Sequence, residues 1–155
     1  MAEVHEAVQA GCVLLRTTNW DLTPQSFDGS EVEFTIEYAK FRQRFFTNMG
    51  QAIDILTQNG TPVYLTNGRI ETGGWKNLSL KMNDAVRQVA EKYKAKGVHL
   101  LDLTAQLCND NGCPPVMDGH RLYDETGHPA DWSRDRLATW ILNEMFAGGP
   151  AGAAS

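Results

Sequence analysis

Long apolar runs are missing from this chain. No uninterrupted stretch approaches the roughly 18 residues that a membrane-crossing helix needs, so nothing in it reads as a span. Basic clusters are missing as well: Lys and Arg number 14 against 19 Asp and Glu, and no stripe of them gathers the positive field that a phosphate backbone requires. Nucleic acid is therefore not an expected partner. The opening MAEVHEAVQA holds two glutamates and no Lys or Arg, which does not fit the positive end and apolar middle of a secretory signal. Neither NGRIETGGW nor MDGH has the spacing of a phosphate loop or dinucleotide fingerprint; both read as turns, and no cofactor is expected.

What is present fits one globular domain. The chain has 155 residues, 42% of them hydrophobic, with charge at only 21%, enough apolar material for a core and too little charge for a disordered chain. Three cysteines are present. Cys108 and Cys113 flank a turn-prone stretch in LCNDNGC, where a small-loop disulfide is sterically open and two reduced loop thiols are the alternative. Cys12 opens the apolar run CVLL and reads as a buried thiol.

Hydrophobic spacing orders the elements. Residues 2 to 10 read as a short helix stopped by Gly11, and CVLLRTTNW as a buried strand running into a polar loop. From Glu31 to Gln58, apolar residues recur every three or four positions, predicting one amphipathic helix that Gly50 weakens in its middle. Pro62 to Thr66 is a second strand. Leu78, Met82, Val86, Val89 and Tyr93 mark a second helix closed by Gly97, and VHLLDL is a third strand. Thr104 to Ala130 reads as irregular. Asp131 is expected to cap a last helix burying Leu137, Trp140, Ile141 and Met145, and residues 147–155 form a flexible Gly/Ala tail behind a domain of residues 1–146. Alternating strands and helices predict an α/β fold with a parallel sheet. In such sheets ligands bind beyond the carboxyl ends of the strands, which directs attention to the loops Thr17 to Gly29, Asn67 to Lys76 and Thr104 to Ala130.

His128 is the most suggestive side chain in those loops. In LYDETGHPADW it has Asp124 four residues before it and Glu125 three before, carboxylates able to orient an imidazole acting as a base. A loop histidine beside solvated acids is the plainer reading. Pro129 biases His128 toward an extended backbone. His120, Asp124, His128 and Cys113 match no tight zinc spacing, so no metal is expected. Trp20 and Trp75 could stack on a sugar or acyl group, or cover the core.

The stretch VHLLDLTAQLCNDNGCPPVMDGHRLYDETGHPADWSRDRLATWI resembles the last block of the SGNH (GDSL-like) hydrolase superfamily. It is most similar to the SGNH domains fused to acyltransferase-three membrane proteins, which modify bacterial surface polysaccharides. Leu101-Asp102-Leu103, Cys108, Cys113, Asp118-Gly119, Leu122-Tyr123 and His128 follow that block's order, and VLLRTTNWD resembles the family's strand and loop with an oxyanion-hole asparagine, matching Asn19. The resemblance implies a flavodoxin-like three-layer α/β/α sandwich. It also implies ester hydrolysis or O-acyl transfer on cell-surface carbohydrate, with His128 as base, Asp124 or Glu125 orienting it, Cys108 and Cys113 disulfide-bonded, and an extracytoplasmic location. The implied partners are a carbohydrate acyl ester or acyl donor, and a membrane acyltransferase domain or missing N-terminal segment.

The chain departs from the family in three places. The position three before His holds Glu125 while the aspartate is Asp124, and Pro129-Ala130 stands where Leu-Ser is common. The Gly-Asp-Ser nucleophile block and its strand are absent: the serines are Ser26, Ser30, Ser79, Ser133 and Ser155, and none follows Gly-Asp. The resemblance therefore implies a fold lacking its first two strands, with the edge of CVLLR left unpaired. The competing expectations are a non-catalytic glycan- or partner-binding remnant, and an unrelated flavodoxin-like module for a small ligand.

Overall fold

The computed structural model describes residues 11–17, 22–27, 29, 31–109 and 112–147. Three short strands form a parallel sheet: β1 (Val13–Arg16), β2 (Val63–Thr66) and β3 (Val98–Leu101), in the order β1-β2-β3, with Val13 opposite Val63 and Val63 opposite Val98. The protein is thus mixed α/β. β2 is central and its four residues are all buried, which is why VYLT carries no charge. Helices α1 (Ala39–Leu56) and α2 (Lys76–Tyr93) connect the strands, as parallel pairing requires.

Alternation along β2 divides the core. Val63 and Leu65 pack with Ile53 of α1 and with Val86, Val89 and Ala90 of α2. Tyr64 points the other way, packing with Leu101 and with Met145 of the last helix, α4 (Asp131–Ala147), and its hydroxyl donates to the Met145 carbonyl at 3.0 Å. Gly50 has a positive reason to be glycine: the Tyr93 hydroxyl lies against the α1 backbone closer than any Cβ would permit.

Several expectations are corrected. The helix expected from Glu31 begins only at Ala39, because Phe34 exchanges backbone hydrogen bonds with Gln25 (2.8 and 2.9 Å) and packs its ring at a tilt against Phe27. Arg42 then ties the turn down by donating to the carbonyls of Ile36 and Glu37. Val32, Phe34 and Ile36 also alternate with period two, the competing signal within the same letters. The third strand stops at Leu101, since the Asp102 carboxylate accepts from the Ala105 N–H (3.0 Å) and so caps a short helix, α3 (Leu103–Leu107). The segment expected to be irregular also holds a hairpin, β4 (Val116–Met117) with β5 (His120–Arg121), turned by Asp118 and Gly119 at positive φ. Asp131 is the first residue of α4 rather than its cap, as the Arg134 N–H already bonds the Ala130 carbonyl. Of the expected buried face only Met145 is buried; Leu137, Trp140 and Ile141 are half-buried, as is Cys12. The expected helix over residues 2 to 10 and most of the expected tail lie outside the described residues, while Ala147 belongs to α4. Among the described residues, no helix is long and apolar enough to cross a membrane.

Candidate functional site

A cleft of about 390 Å³ opens at the carboxyl ends of the three strands. Arg16 and Thr17 line it from the end of β1, Asn67, Gly68 and Arg69 from the end of β2, and Leu103 and Leu107 from α3. Its far wall is Tyr123 together with Thr126, Gly127 and His128. A parallel sheet places these residues together because every strand ends on the same side.

The wall behind β2 is held by a buried network. Asn67 is fully buried; its amide donates to Asp102 Oδ1 at 2.7 Å and its carbonyl oxygen accepts from the Thr104 N–H at 3.1 Å. Asn83, on the buried face of α2, accepts from the Gly68 N–H and donates back to the Gly68 carbonyl, both at 2.9 Å, and also donates to the Thr104 hydroxyl at 3.0 Å. Burial works against the charge of Asp102. The bonds from Asn67, Ala105 and Arg87 outweigh it and hold the carboxyl below its ordinary value.

Arg69 is fixed on the same wall. Its Nε donates to Glu71 at 2.7 Å, and its guanidinium lies 4.3 Å from the centre of the Tyr123 ring. Burial opposes its charge, but Glu71 outweighs that and keeps it firmly protonated, while burial raises the Tyr123 hydroxyl against the pull of Arg69. The loop beneath is joined to the cysteine pair: Cys108 and Cys113 stand at disulfide distance, with Cα atoms 3.9 Å apart, and the Ile70 N–H points at Cys113 Sγ.

The opposite wall is a tight loop between Tyr123 and Pro129, which pair as an isolated bridge; the Asp124 N–H donates to the His128 carbonyl at 2.8 Å. Asp124 accepts from the N–H groups of Thr126 (2.8 Å) and His128 (3.0 Å) and from the Thr126 hydroxyl (2.7 Å). Thr126 Oγ1 also lies 2.7 Å from His128 Nδ1. The bond from Thr126, with the backbone bonds beside it, lowers the pKa of Asp124, so at neutral pH the carboxylate can only accept. The single Thr126 proton therefore goes to Asp124, and His128 Nδ1 must carry the proton it gives to Thr126. Neutral His128 is thus held as the Nδ1–H tautomer, with the lone pair on Nε2.

This geometry joins Asp124 to His128 through Thr126 and leaves Glu125 exposed, with no hydrogen bond or ion pair among the described residues. Thr126 escaped the sequence reading, although Asp124, Thr126 and His128 alternate in a loop whose Gly127 takes a positive φ. Asn67, Arg69 and Asn83 also escaped it. Trp75 is 46% exposed and does not line the cleft; His120 stacks on Trp132, with ring centroids 4.6 Å apart. Asn19 and Trp20 lie outside the described residues, as do Ser30 and Ser155. The buried serines are structural: Ser79 donates to the Lys76 carbonyl and accepts from the Glu71 N–H, and Ser133 donates to the carbonyls of Leu122 and Ala130. Ser26 is exposed and does not line the cleft. In comparison with known proteins, the chain matches no protein-family model and no curated protein sequence.

Proposed function

We propose that this chain is the base-bearing part of an SGNH-type acyl-ester hydrolase or O-acyltransferase domain, acting on acyl esters, acetyl first among them, of cell-surface carbohydrate. The observation that carries this reading is the relay from Asp124 through Thr126 to His128 at the rim of a cleft beyond the strand ends. With Nδ1–H anchored, Nε2 is the basic nitrogen. It takes the proton of a hydroxyl nucleophile as that oxygen attacks the acyl carbon, and returns it to the alkoxide as the ester bond breaks. Asp124, one hydroxyl removed, stabilises the imidazolium between these steps.

The nucleophile is the open element of this reading. No described serine lines the cleft, and this favours a second reading in which the cleft only binds glycan or a partner. Under the first reading, the serine arrives on a strand completing the sheet beside β1, whose side away from β2 is unpaired among the described residues. A groove of about 360 Å³ runs there past Leu15, Phe41, Phe45 and Met49. Such a strand would come from another polypeptide segment, a membrane acyltransferase domain among them. The finer fold is then a three-layer α/β/α sandwich short of its first two strands, and the location extracytoplasmic, which suits the Cys108–Cys113 pair.

The test is hydrolysis of p-nitrophenyl acetate, together with intact mass after exposure to a fluorophosphonate, on this chain and on His128→Ala. Turnover that falls at least about a thousandfold in a folded His128→Ala protein supports the base assignment. Unchanged turnover in that variant removes it. A missing adduct on a folded protein favours the binding reading, or a nucleophile supplied from outside.

A further inference from the structure

The protein carries a net charge of −5, yet the cleft inverts that sign: its ionisable lining is Arg16, Arg69, Tyr123 and His128, with no carboxylate among them. We infer that the ligand bears an anionic group, a carboxylate or sulfate, and that Arg16 and Arg69 receive it. The inference rests on the carbohydrate reading for the rest of the ligand, and it names the class as an acidic sugar.

Arg69 is built for this task. Its side chain is 21% exposed and held on two sides: Glu71 takes Nε and the Tyr123 ring lies under the guanidinium. Glu71 occupies one edge of the fork, and apart from the pull of the Tyr123 hydroxyl no protein acceptor engages the Nη groups among the described residues. A planar cation fixed in advance with free donors suits a two-oxygen anion, and it loses little side-chain freedom on binding. Glu71 balances the charge of Arg69, so the surplus positive charge comes from Arg16. That side chain is exposed at the end of β1 and has no partner among the described residues.

The experiment titrates the full chain by calorimetry with galacturonate, galactose and sodium sulfate at matched ionic strength. Galacturonate should bind at least about tenfold more tightly than galactose, and Arg16→Ala and Arg69→Gln should each erase about tenfold of that preference while circular dichroism is unchanged. Because Arg16 is exposed, its variant stays informative even if Arg69→Gln perturbs the fold. Sulfate displacing galacturonate, with the same dependence on both arginines, supports recognition of the charge itself. Equal binding of galacturonate and galactose, no binding of any of the three probes, or an unaltered preference in Arg16→Ala overturns the inference. No ester is cleaved in this assay. Loss of the anion preference with His128-dependent hydrolysis intact would sink this inference alone, and the reverse would sink the acyl reading alone.

Discussion

The two walls of the cleft are stabilised by opposite means. Behind β2, Asn67, Gly68 and Thr104 are joined to Asn83 and Asp102 by hydrogen bonds spanning up to 37 residues of sequence, and both asparagines are buried. Across the cleft, the bonds that set His128 run only among residues 124, 126 and 128, and all three are exposed. The first wall exists only if the whole fold does. The second is a local device set by its own loop, so it can change chemically at little structural cost. A binding surface that must hold its shape belongs on the first, and a side chain that exchanges a proton with a ligand belongs on the second.

The sharpest way to break this contrast is Asn83→Ala. It removes the partner of the Gly68 N–H and one of the two donors to the Gly68 carbonyl, behind a part-buried wall of the cleft. Orphaning such groups should cost about 2–4 kcal/mol, read as a lowered urea midpoint with an unchanged slope. A loss below about 0.5 kcal/mol would show that the wall does not depend on the network. Thr104 adds no new donor in its place, because its hydroxyl proton already goes to the Gly68 carbonyl at 2.7 Å.

The same contrast explains what the sequence disclosed. β2, α2 and β3 were legible because burial imposes a period that the letters Val63, Leu65, Val86, Val89 and Val98 display directly. The start of α1 was not, since residues 31 to 38 satisfy two periods and only the pairing of Phe34 with Gln25 decides between them. His128 with its two candidate acids, Asp124 and Glu125, could be singled out because a short loop keeps neighbours close in the chain, though the letters did not choose between the acids. The buried wall could not: Asn67, Asn83 and Asp102 are separated by α2 and β3, and no local rule pairs them. One clue was present, since Ser79 and Asn83 interrupt the apolar stripe of α2 beside Met82 and Val86, where an unpaired polar group would be costly.

Acid should separate the walls more gently. The folded-state pKa of Asp102 is depressed, so its contribution to stability is complete above the unfolded value near 3.8 and fades as pH falls through the lower folded one. Stability should therefore drop on acidification below about pH 4, and Asp102→Asn should flatten part of that drop while lowering stability at neutral pH. Thermal melts of both proteins from pH 7 down to pH 2 measure this. Parallel curves would mean that the carboxylate carries no share of the acid response.

Thr126→Val should have the smallest effect on stability and still change the chemistry. Valine keeps the shape and removes the hydroxyl that gives its proton to Asp124 and receives the one on His128 Nδ1. In an exposed loop the melting temperature should stay within about 2 °C of wild type. The imidazole, however, loses the acceptor that kept its proton on Nδ1. Nitrogen-15 spectra of the histidine ring should show Nδ1–H in the native protein and a shift toward Nε2–H in the variant, with Thr126→Ser restoring the native pattern. Any ester turnover should fall about tenfold or more through kcat, with KM little changed, since the wrong tautomer offers no lone pair at Nε2. A native-like tautomer in Thr126→Val would mean that the position of His128 is set by its backbone alone, and that the carboxylate of Asp124 serves the loop rather than the ring.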